Sequence, residues 1–177
     1  MIFPGGEEYK RHDSMRGWFA YDLYLHMLTN PNIWLVVGDL GYKVFDRHFK
    51  DFPDRCINTG AAEQAMMGIA VGLSMEGKIP FVYSITTFLL YRPFETIRNY
   101  IDHEQWNVKL IGSGRDKDYE HDGFSHWSED AYDLFDKEHS PVFNNIQSYW
   151  PQTKEEIPDI IDIIVGQKEP CFLSLCR

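Results

Sequence analysis

Glu63 is a carboxylate set among small and apolar residues. The stretch 58–82 reads NTGAAEQAMMGIAVGLSMEGKIPFV, with two alanines directly before Glu63. As a first-turn residue of a helix, Glu63 would complement the helix dipole, an interaction worth roughly 0.3–1 kcal/mol. Alternatively, a carboxyl in an apolar seam that is kept neutral, or is shared with a ring nitrogen, can act in proton transfer. The residues alone leave both interpretations open, and the first is the commoner.

Small residues recur along the same stretch at helical spacing. Ala61, Ala65, Gly68 and Gly72 form one stripe of a helix predicted over residues 61–76. Such a stripe lets another backbone approach closely. Tight packing of the helix on a sheet would explain it without any function.

Three aromatic residues follow at intervals of three. Phe88, Tyr91 and Phe94 lie in TTFLLYRPF, and a helical turn could bring them to one side. A core stripe is the commoner use of this spacing, and the lining of a pocket is the functional alternative.

Histidines and acidic residues crowd into the ten residues 121–130, HDGFSHWSED. They are His121, Asp122, His126, Glu129 and Asp130. A metal site is conceivable, but the spacing contains no H-x-x-x-H or C-x-x-C pattern. The plain alternative is a solvated helix start capped by Ser125 or Ser128.

Short apolar runs alternate with longer helical patterns along the chain. Ser14 has the character of an N-cap for the first helix. The predicted helices are 14–29, 61–76, 88–104 with a break at Pro93, 128–138 and 153–166; the predicted strands are 33–38, 56–58, 79–84, 107–112, 141–146 and 171–175. This alternation predicts an α/β fold with a mostly parallel sheet. Ligands of such sheets bind beyond the carboxyl ends of strands, which points to the loops 58–63, 84–91 and 112–126.

Composition limits the class of protein. A chain of 177 residues suits one domain, and its net charge of −10 argues against a nucleic-acid surface or an anionic membrane as partner. No apolar run approaches the length of a membrane span, and the start of the chain turns polar at once. Cys56, Cys171 and Cys176 lack metal-ligand spacing, so we expect reduced thiols and a cytoplasmic protein.

The segment 52–99 resembles the pyrimidine-binding domain of transketolases and of their relative 1-deoxyxylulose-5-phosphate synthase. It contains G-x-x-E-[QH], a small-residue helix, a G-K-x-P-x-x strand, T-F-x-x-[FY] and R-x-x-x-x-I-R, in that order. The similarity runs from about Ser14 to Arg177. It implies a three-layer αβα domain with a six-stranded sheet over residues 14–177, preceded by an extension over residues 1–13.

The resemblance implies thiamine diphosphate as the cofactor, bound at a subunit interface. Glu63 matches the glutamate that hydrogen-bonds N1′ of the aminopyrimidine ring and so promotes removal of the proton from the thiazolium carbon. Phe88, Tyr91 and Phe94 match aromatic residues that line the pocket of that ring. Asp39, in the sequence VVGDLG, matches a position near the cofactor and the subunit contact.

Two further matches concern the sugar substrate. Transketolases have D-G-P-T-H where this chain has D-G-F-S-H over residues 122–126. The resemblance implies that Asp122 meets a substrate hydroxyl and that His126 contacts the donor oxygen near the reacting carbon. The replacement of the Pro-Thr pair changes the loop between them.

Two arginines near the ends of the domain match the residues that bind a sugar phosphate in the family. They are Arg16 and Arg177, and a guanidinium fork suits a phosphate better than an ammonium does. The family also has a histidine for the same phosphate, where this chain has Gly114. Arg115 is the candidate substitute, or the substrate differs.

The chain lacks the family's G-D-G pattern followed by asparagine, which holds Mg²⁺ and the diphosphate. We expect neither the family's diphosphate-binding domain nor its C-terminal domain in this chain. We therefore expect one subunit of a split transketolase, in which a second chain holds the diphosphate and Mg²⁺ and two copies of each chain form an α2β2 complex. Ketol transfer between sugars or sugar phosphates is the leading hypothesis. The alternatives are a thiamine-dependent 2-oxo-acid decarboxylase or acyloin-forming enzyme, and a non-catalytic assembly subunit.

Overall fold

The computed structural model describes residues 9–138 and 142–177. Residues 1–8 of the predicted extension and residue 141 of a predicted strand lie outside the described residues. The strands are β1 Ile33–Val37, β2 Cys56–Asn58, β3 Ile79–Ile85, β4 Lys109–Ser113, β5 Gln147–Tyr149 and β6 Cys171–Leu175. The α-helices are α1 Met15–Thr29, α2 Asp46–Asp51, α3 Glu63–Met75, α4 Thr86–Tyr91, α5 Phe94–Thr96 and α6 Ile157–Gly166, and α5 continues directly as a π-helix over Ile97–His103.

All six strands run parallel in the order β2-β1-β3-β4-β6-β5. Leu35 in the second strand of this order lies opposite Cys56 on one side and Phe81 on the other. Strands β2 and β3 flank β1 on opposite sides, so the strand order reverses at β1 and the crevice at the carboxyl ends of these strands is the expected place for a ligand. The predicted α/β fold with a parallel six-stranded sheet is confirmed.

Each face of the sheet carries its own core. On one face, α1 and α6 pack through residues such as Phe19 and Ile161 onto strand residues that include Leu35 and Tyr83. On the other face, α3, α4 and the π-helix cover the intervening strand residues, among them Val36. Both faces of β1 are therefore buried, which explains its continuous apolar sequence and gives the predicted three layers.

Helix α3 packs on the sheet through two methionines and Ala70, and not through the predicted stripe of small residues. Met66, Met67 and Ala70 are fully buried. Gly68 and Gly72 are exposed, and a Cβ atom built on either would meet nothing within 4 Å. The expectation that the stripe packs against the sheet is wrong, because this side of the helix faces outward.

Two predicted elements differ from the structure. The helix predicted over 128–138 is only a 3₁₀ turn, Tyr132–Leu134, and the Leu134 carbonyl accepts the distant backbone N–H of Phe143 where a helix would use its own N–H four residues on. The strand predicted over 141–146 is a loop in its described part, and the strand comes later, at β5. Asn145 donates its backbone N–H to the Asp102 carboxylate at 2.7 Å, and Phe143 is buried in the core.

His48 in α2 predicts an acid-sensitive fold. Its side chain is fully buried between Tyr24 and Phe45, with ring centroids 5.5 and 5.2 Å away. Burial lowers the pKa of His48 from 6.5 to about 3, so the folded chain keeps the imidazole neutral where the unfolded chain takes up a proton. The free energy of unfolding should therefore fall by about 1.4 kcal/mol for each pH unit below 6.5, until the pH nears 3.

His48→Phe removes this titration, so its free energy of unfolding should depend less steeply on pH between 4 and about 6.5. Urea unfolding at a series of pH values measures the slope, and the slope does not depend on any repacking cost of the larger ring. His103→Gln, a change at an exposed histidine, is the control. Equal slopes for His48→Phe and the unmodified chain would contradict this prediction.

Candidate functional site

The candidate residues meet at the carboxyl ends of the strands. Glu63 begins α3 shortly after β2, Phe88 lies in α4 directly after β3, and His126 lies in the loop after β4. Arg177 follows β6, and Arg16 reaches the same edge from the first turn of α1. Parallel strands place all of these segments at one edge of the sheet, as the sequence predicts.

Glu63 is 3% exposed and bonded to an arginine that the sequence analysis did not identify as a site residue. Nη1 of Arg92 lies 2.8 Å from both carboxylate oxygens. The guanidinium carbon of Arg92 lies 3.7 Å from the centre of the Phe88 ring. Phe88 and Arg92 are four residues apart, so helical spacing was the signal available in the sequence. A buried carboxylate thus faces a planar group that is stacked on an aromatic ring.

Arg92→Ala should destabilise the isolated chain by roughly 1–2 kcal/mol, because the buried carboxylate of Glu63 loses its cationic partner. The full cost of breaking a buried ion pair is about 3–5 kcal/mol. We discount it because the Arg92 side chain is 47% exposed and water screens the pair. Urea unfolding of Arg92→Ala beside Arg98→Ala, an exposed arginine in the neighbouring π-helix, measures the difference. Equal losses of unfolding free energy in the two variants would show that the ion pair between Glu63 and Arg92 does not stabilise the chain.

A cavity of about 700 Å³ opens beside Phe88. Its lining includes Phe88, Tyr91 and Arg92, and on the opposite wall Trp127 and Asp130. Burial, together with a hydrogen bond to Asp130, raises the pKa of Tyr91 well above its ordinary value, so the phenol stays protonated. The structure therefore brings two of the three predicted aromatic residues to one cavity.

Phe94 lies elsewhere. Its ring packs against Phe143 of the core, with 5.6 Å between centroids. Helix α4 ends before Pro93, so the helical period that would align Phe94 with Phe88 and Tyr91 is interrupted. The predicted grouping of the three rings is not found.

The ring of His126 lies next to that of Phe88, with 4.8 Å between centroids. Nδ1 of His126 is 3.0 Å from the Ser125 hydroxyl. Asp122 is exposed, and its carboxylate lies 3.2 Å from Nε2 of His121. Asp122 and His126, the two residues predicted to contact the sugar itself, are thus in the loop after β4. The His126 ring contacts Phe88, which links it to the Glu63 end of the site.

The five histidine and acidic residues of segment 121–130 do not converge on one point. Glu129 pairs with Lys117 at 3.3 Å, and Asp130 bonds to Tyr91. Within residues 9–138 and 142–177, no group of three His, Cys, Asp or Glu side chains is arranged to hold a metal ion.

Tyr119 joins the two predicted phosphate-binding arginines. Its hydroxyl lies 3.3 Å from Nη1 of Arg16, and the guanidinium carbon of Arg177 lies 5.2 Å from its ring centre. Arg177 also contacts Nε2 of His121 at 3.1 Å. Its backbone N–H donates to Asp118, which fixes this residue at the edge of the site. No periodic pattern or motif in the sequence marks Tyr119.

Arg115 does not join this cluster through the bonds of its guanidinium. Nε donates to the Ser174 hydroxyl at 3.1 Å and Nη2 to the Ser174 carbonyl at 2.8 Å, so the side chain holds the loop to β6. It lines a separate cavity of about 320 Å³ with Trp150. Its predicted substitution for the missing histidine finds no support in this placement.

Asp39 lies at a second cavity, of about 340 Å³, beyond the end of β1. Its backbone N–H donates to the side chain of Asn58 at 3.1 Å, and its φ of 56° is left-handed. Asp39 and Glu63 therefore follow neighbouring strands, but Asp39 does not line the cavity beside Phe88.

Sequence comparison gives the family. Residues 14–177 match the family described as the transketolase, pyrimidine binding domain. This chain belongs to that family. One subunit of an apulose-4-phosphate transketolase from Actinobacillus succinogenes is 32% identical over 126 residues, which are 71% of this chain and 39% of the relative. A 6-deoxy-6-sulfo-D-fructose transketolase subunit, SqwH, from Clostridium sp. (strain MSTE9) is 32% identical over 134 residues, or 74% of this chain and 39% of the relative.

Solved structures of transketolases share the fold. A split-gene transketolase, described as an inactive β4 tetramer, has a TM-score of 0.79 and 30% identity, covering 93% of this chain and 52% of that chain. Transketolase from Campylobacter jejuni has a TM-score of 0.80 at 19% identity, covering 96% of this chain and 27% of that chain. The chain thus spans about two fifths of the curated relatives named above. Its family implies dependence on thiamine diphosphate.

Among the described residues, no helix is both long and apolar enough to cross a membrane.

Proposed function

We propose that this chain is the pyrimidine-binding subunit of a two-chain transketolase that transfers a two-carbon ketol unit between sugars bearing an anionic group. One observation carries the proposal. A continuous line of contacts runs from Glu63 and Arg92 through Phe88 and His126 to Tyr119. The Tyr119 hydroxyl contacts Arg16, and its ring contacts Arg177. The site thus has a carboxylate end for the cofactor and a cationic end for the substrate.

The Glu63 end fits an aminopyrimidine ring. The Arg92 guanidinium already shows that a planar group bearing N–H donors can stack on Phe88 and bond to both Glu63 oxygens. The Arg92 side chain is half-exposed and can turn to solvent, leaving this place to the ring. Phe88 and Tyr91 would then hold the ring, and Glu63 would hold the proton at N1′. When bound, the cofactor supplies the electron sink for carbon–carbon bond cleavage.

His126 and Asp122 would orient the sugar. His126 lies beside Phe88, where an imidazole can donate a hydrogen bond to the oxygen near the reacting carbon. Asp122 would accept from a substrate hydroxyl. Arg16 and Arg177 would bind the far, anionic end, and the names of the two relatives specify a phosphorylated and a sulfonated sugar.

The partner in this proposal is a separate chain that binds the diphosphate and Mg²⁺, in an α2β2 complex. The exposed side of α3 is the proposed contact, because Gly68, Ile69, Gly72 and Met75 are not covered by any element among the described residues. Glu63 begins the same helix, so a chain seated on this face would close the cofactor end of the site. Asp39, on the neighbouring loop, would lie near this contact. The cytoplasm remains the proposed compartment, supported by three free cysteines.

Reconstitution tests the proposal. The chain is mixed with a diphosphate-binding transketolase subunit, thiamine diphosphate and Mg²⁺, and ketol transfer is measured for the mixture and for each chain alone. Activity only in the mixture is expected. Release of carbon dioxide from 2-oxo acids without ketol transfer would favour the decarboxylase alternative, and a stable but inactive complex would favour the assembly subunit.

A further inference from the structure

We propose that Tyr119 is a positioning residue that holds Arg16 and Arg177 on two sides of one tetrahedral oxyanion, and thereby determines the preference of the site for anion-bearing sugars. The inference rests on the proposed function for the identity of the substrate. The binding of the oxyanion itself can be tested on this chain alone.

The Tyr119 hydroxyl fixes Arg16. It lies 2.9 Å from the Ser113 hydroxyl and 3.3 Å from Nη1 of Arg16. Since a guanidinium only donates, the phenol oxygen accepts from Arg16 and its own hydrogen is free to go to Ser113. Nε of Arg16 is buried and has no hydrogen-bond partner among the described residues. The guanidinium also bonds to the buried Tyr83 hydroxyl, so Nε–H is the donor that an anion would satisfy.

The Tyr119 ring fixes Arg177. The guanidinium carbon lies 5.2 Å from the ring centre, within the range of a cation–π contact. Asp118, the preceding residue, accepts the backbone N–H of Arg177 at 2.8 Å. Two guanidinium groups repel each other in the absence of an anion. A neutral side chain that presents an oxygen to one and a π-face to the other keeps both in place.

Gly114 makes room for this ring. A Cβ atom at Gly114 would lie 2.3 Å from Cε2 of Tyr119, and the φ of Gly114 is +84°, where side chains are strained. A histidine cannot occupy position 114 while Tyr119 keeps this position. The position of the Tyr119 ring therefore requires glycine at position 114. Tyr119 does not contact the anion itself but positions the two arginines that bind it.

The test compares Tyr119→Phe, which removes only the hydroxyl, with Tyr119→Leu, which also removes the π-face. The dissociation constants of inorganic phosphate and of methanesulfonate are measured on this chain by calorimetry. We expect about tenfold weaker binding for Tyr119→Phe and a larger loss for Tyr119→Leu. Tyr100→Phe, at an exposed tyrosine of the π-helix, is the control. Weakening for only one of the two anions identifies the group that the site binds.

In the reconstituted complex, Tyr119→Phe should raise KM for an anionic acceptor about tenfold, with kcat and the KM of an uncharged acceptor within about twofold of the unmodified complex. Unchanged anion binding in a folded Tyr119→Phe chain, or an equal change of KM for both acceptors, would overturn the inference. The two proposals can fail separately. If Tyr119→Phe weakens anion binding by this chain but the reconstituted complex shows no ketol transfer, the proposed function is overturned and the inference about Tyr119 stands.

Discussion

Glu63→Gln should lower ketol transfer by the reconstituted complex by about 10²–10⁴-fold, the usual range for removing one acid–base group. The amide keeps the size of the side chain and can still meet Arg92 through its oxygen, so the fold and the complex should persist. It cannot hold a proton for N1′ as the carboxyl does. The kcat of purified complexes, with cofactor at saturation, measures the effect.

Glu76→Gln makes the same chemical change at the exposed far end of α3 and serves as the matched control. Its complex should retain full activity. Loss of activity in both variants would indicate damage to the helix. Full activity in Glu63→Gln would remove Glu63 from the chemistry and leave it as a buried first-turn acid paired with Arg92.

Gly72→Trp should abolish assembly with the partner chain, and with it the ketol transfer. The indole would project from the exposed side of α3, where a Cβ atom meets no other group of residues 9–138 and 142–177 within 4 Å. The isolated chain should therefore unfold at an unchanged or slightly higher urea concentration, because glycine is a poor residue within a helix. Size-exclusion chromatography with light scattering follows the assembly.

Gly166→Trp is the control for this experiment. Gly166 ends α6, and a Cβ atom there also meets nothing within 4 Å, so the variant places the same side chain on a different surface. It should assemble normally. Assembly of the Gly72→Trp chain would show that the partner binds elsewhere, whereas failure of both variants would point to a general effect of the exposed indole.

The fold could be predicted from the sequence wherever periodicity and local chemistry agree. Continuous apolar runs mark the central strands, and Ser14 caps α1 by accepting the backbone N–H of Gly17. The prediction fails over 128–138, where Ala131 and Phe135 are buried at helical spacing but long-range backbone bonds hold the segment in turns. A bond such as that from Asn145 to Asp102 joins residues that no local pattern connects.

The site divides in the same way. Motif spacing placed Glu63, Phe88 and His126 at one edge of the sheet, because each follows a strand of a parallel sheet. Phe94 was misplaced, since a helical period was carried across Pro93. Tyr119 was missed for two reasons. Its ring occupies the place that a side chain at position 114 would take, and it contacts two arginines that are distant in sequence. Residues that act through tertiary contacts leave no periodic signal.

The role of Glu63 in activating the cofactor is tested most directly by one rate. This is the rate at which the C2 hydrogen of thiamine diphosphate exchanges with deuterium in the reconstituted complex. This rate needs no sugar substrate, so it isolates the part that Glu63 has in activating the cofactor. We expect rapid exchange in the unmodified and Glu76→Gln complexes, and exchange slower by about 100-fold or more in Glu63→Gln with the cofactor bound. Equal rates in Glu63→Gln and the unmodified complex would contradict this role of Glu63.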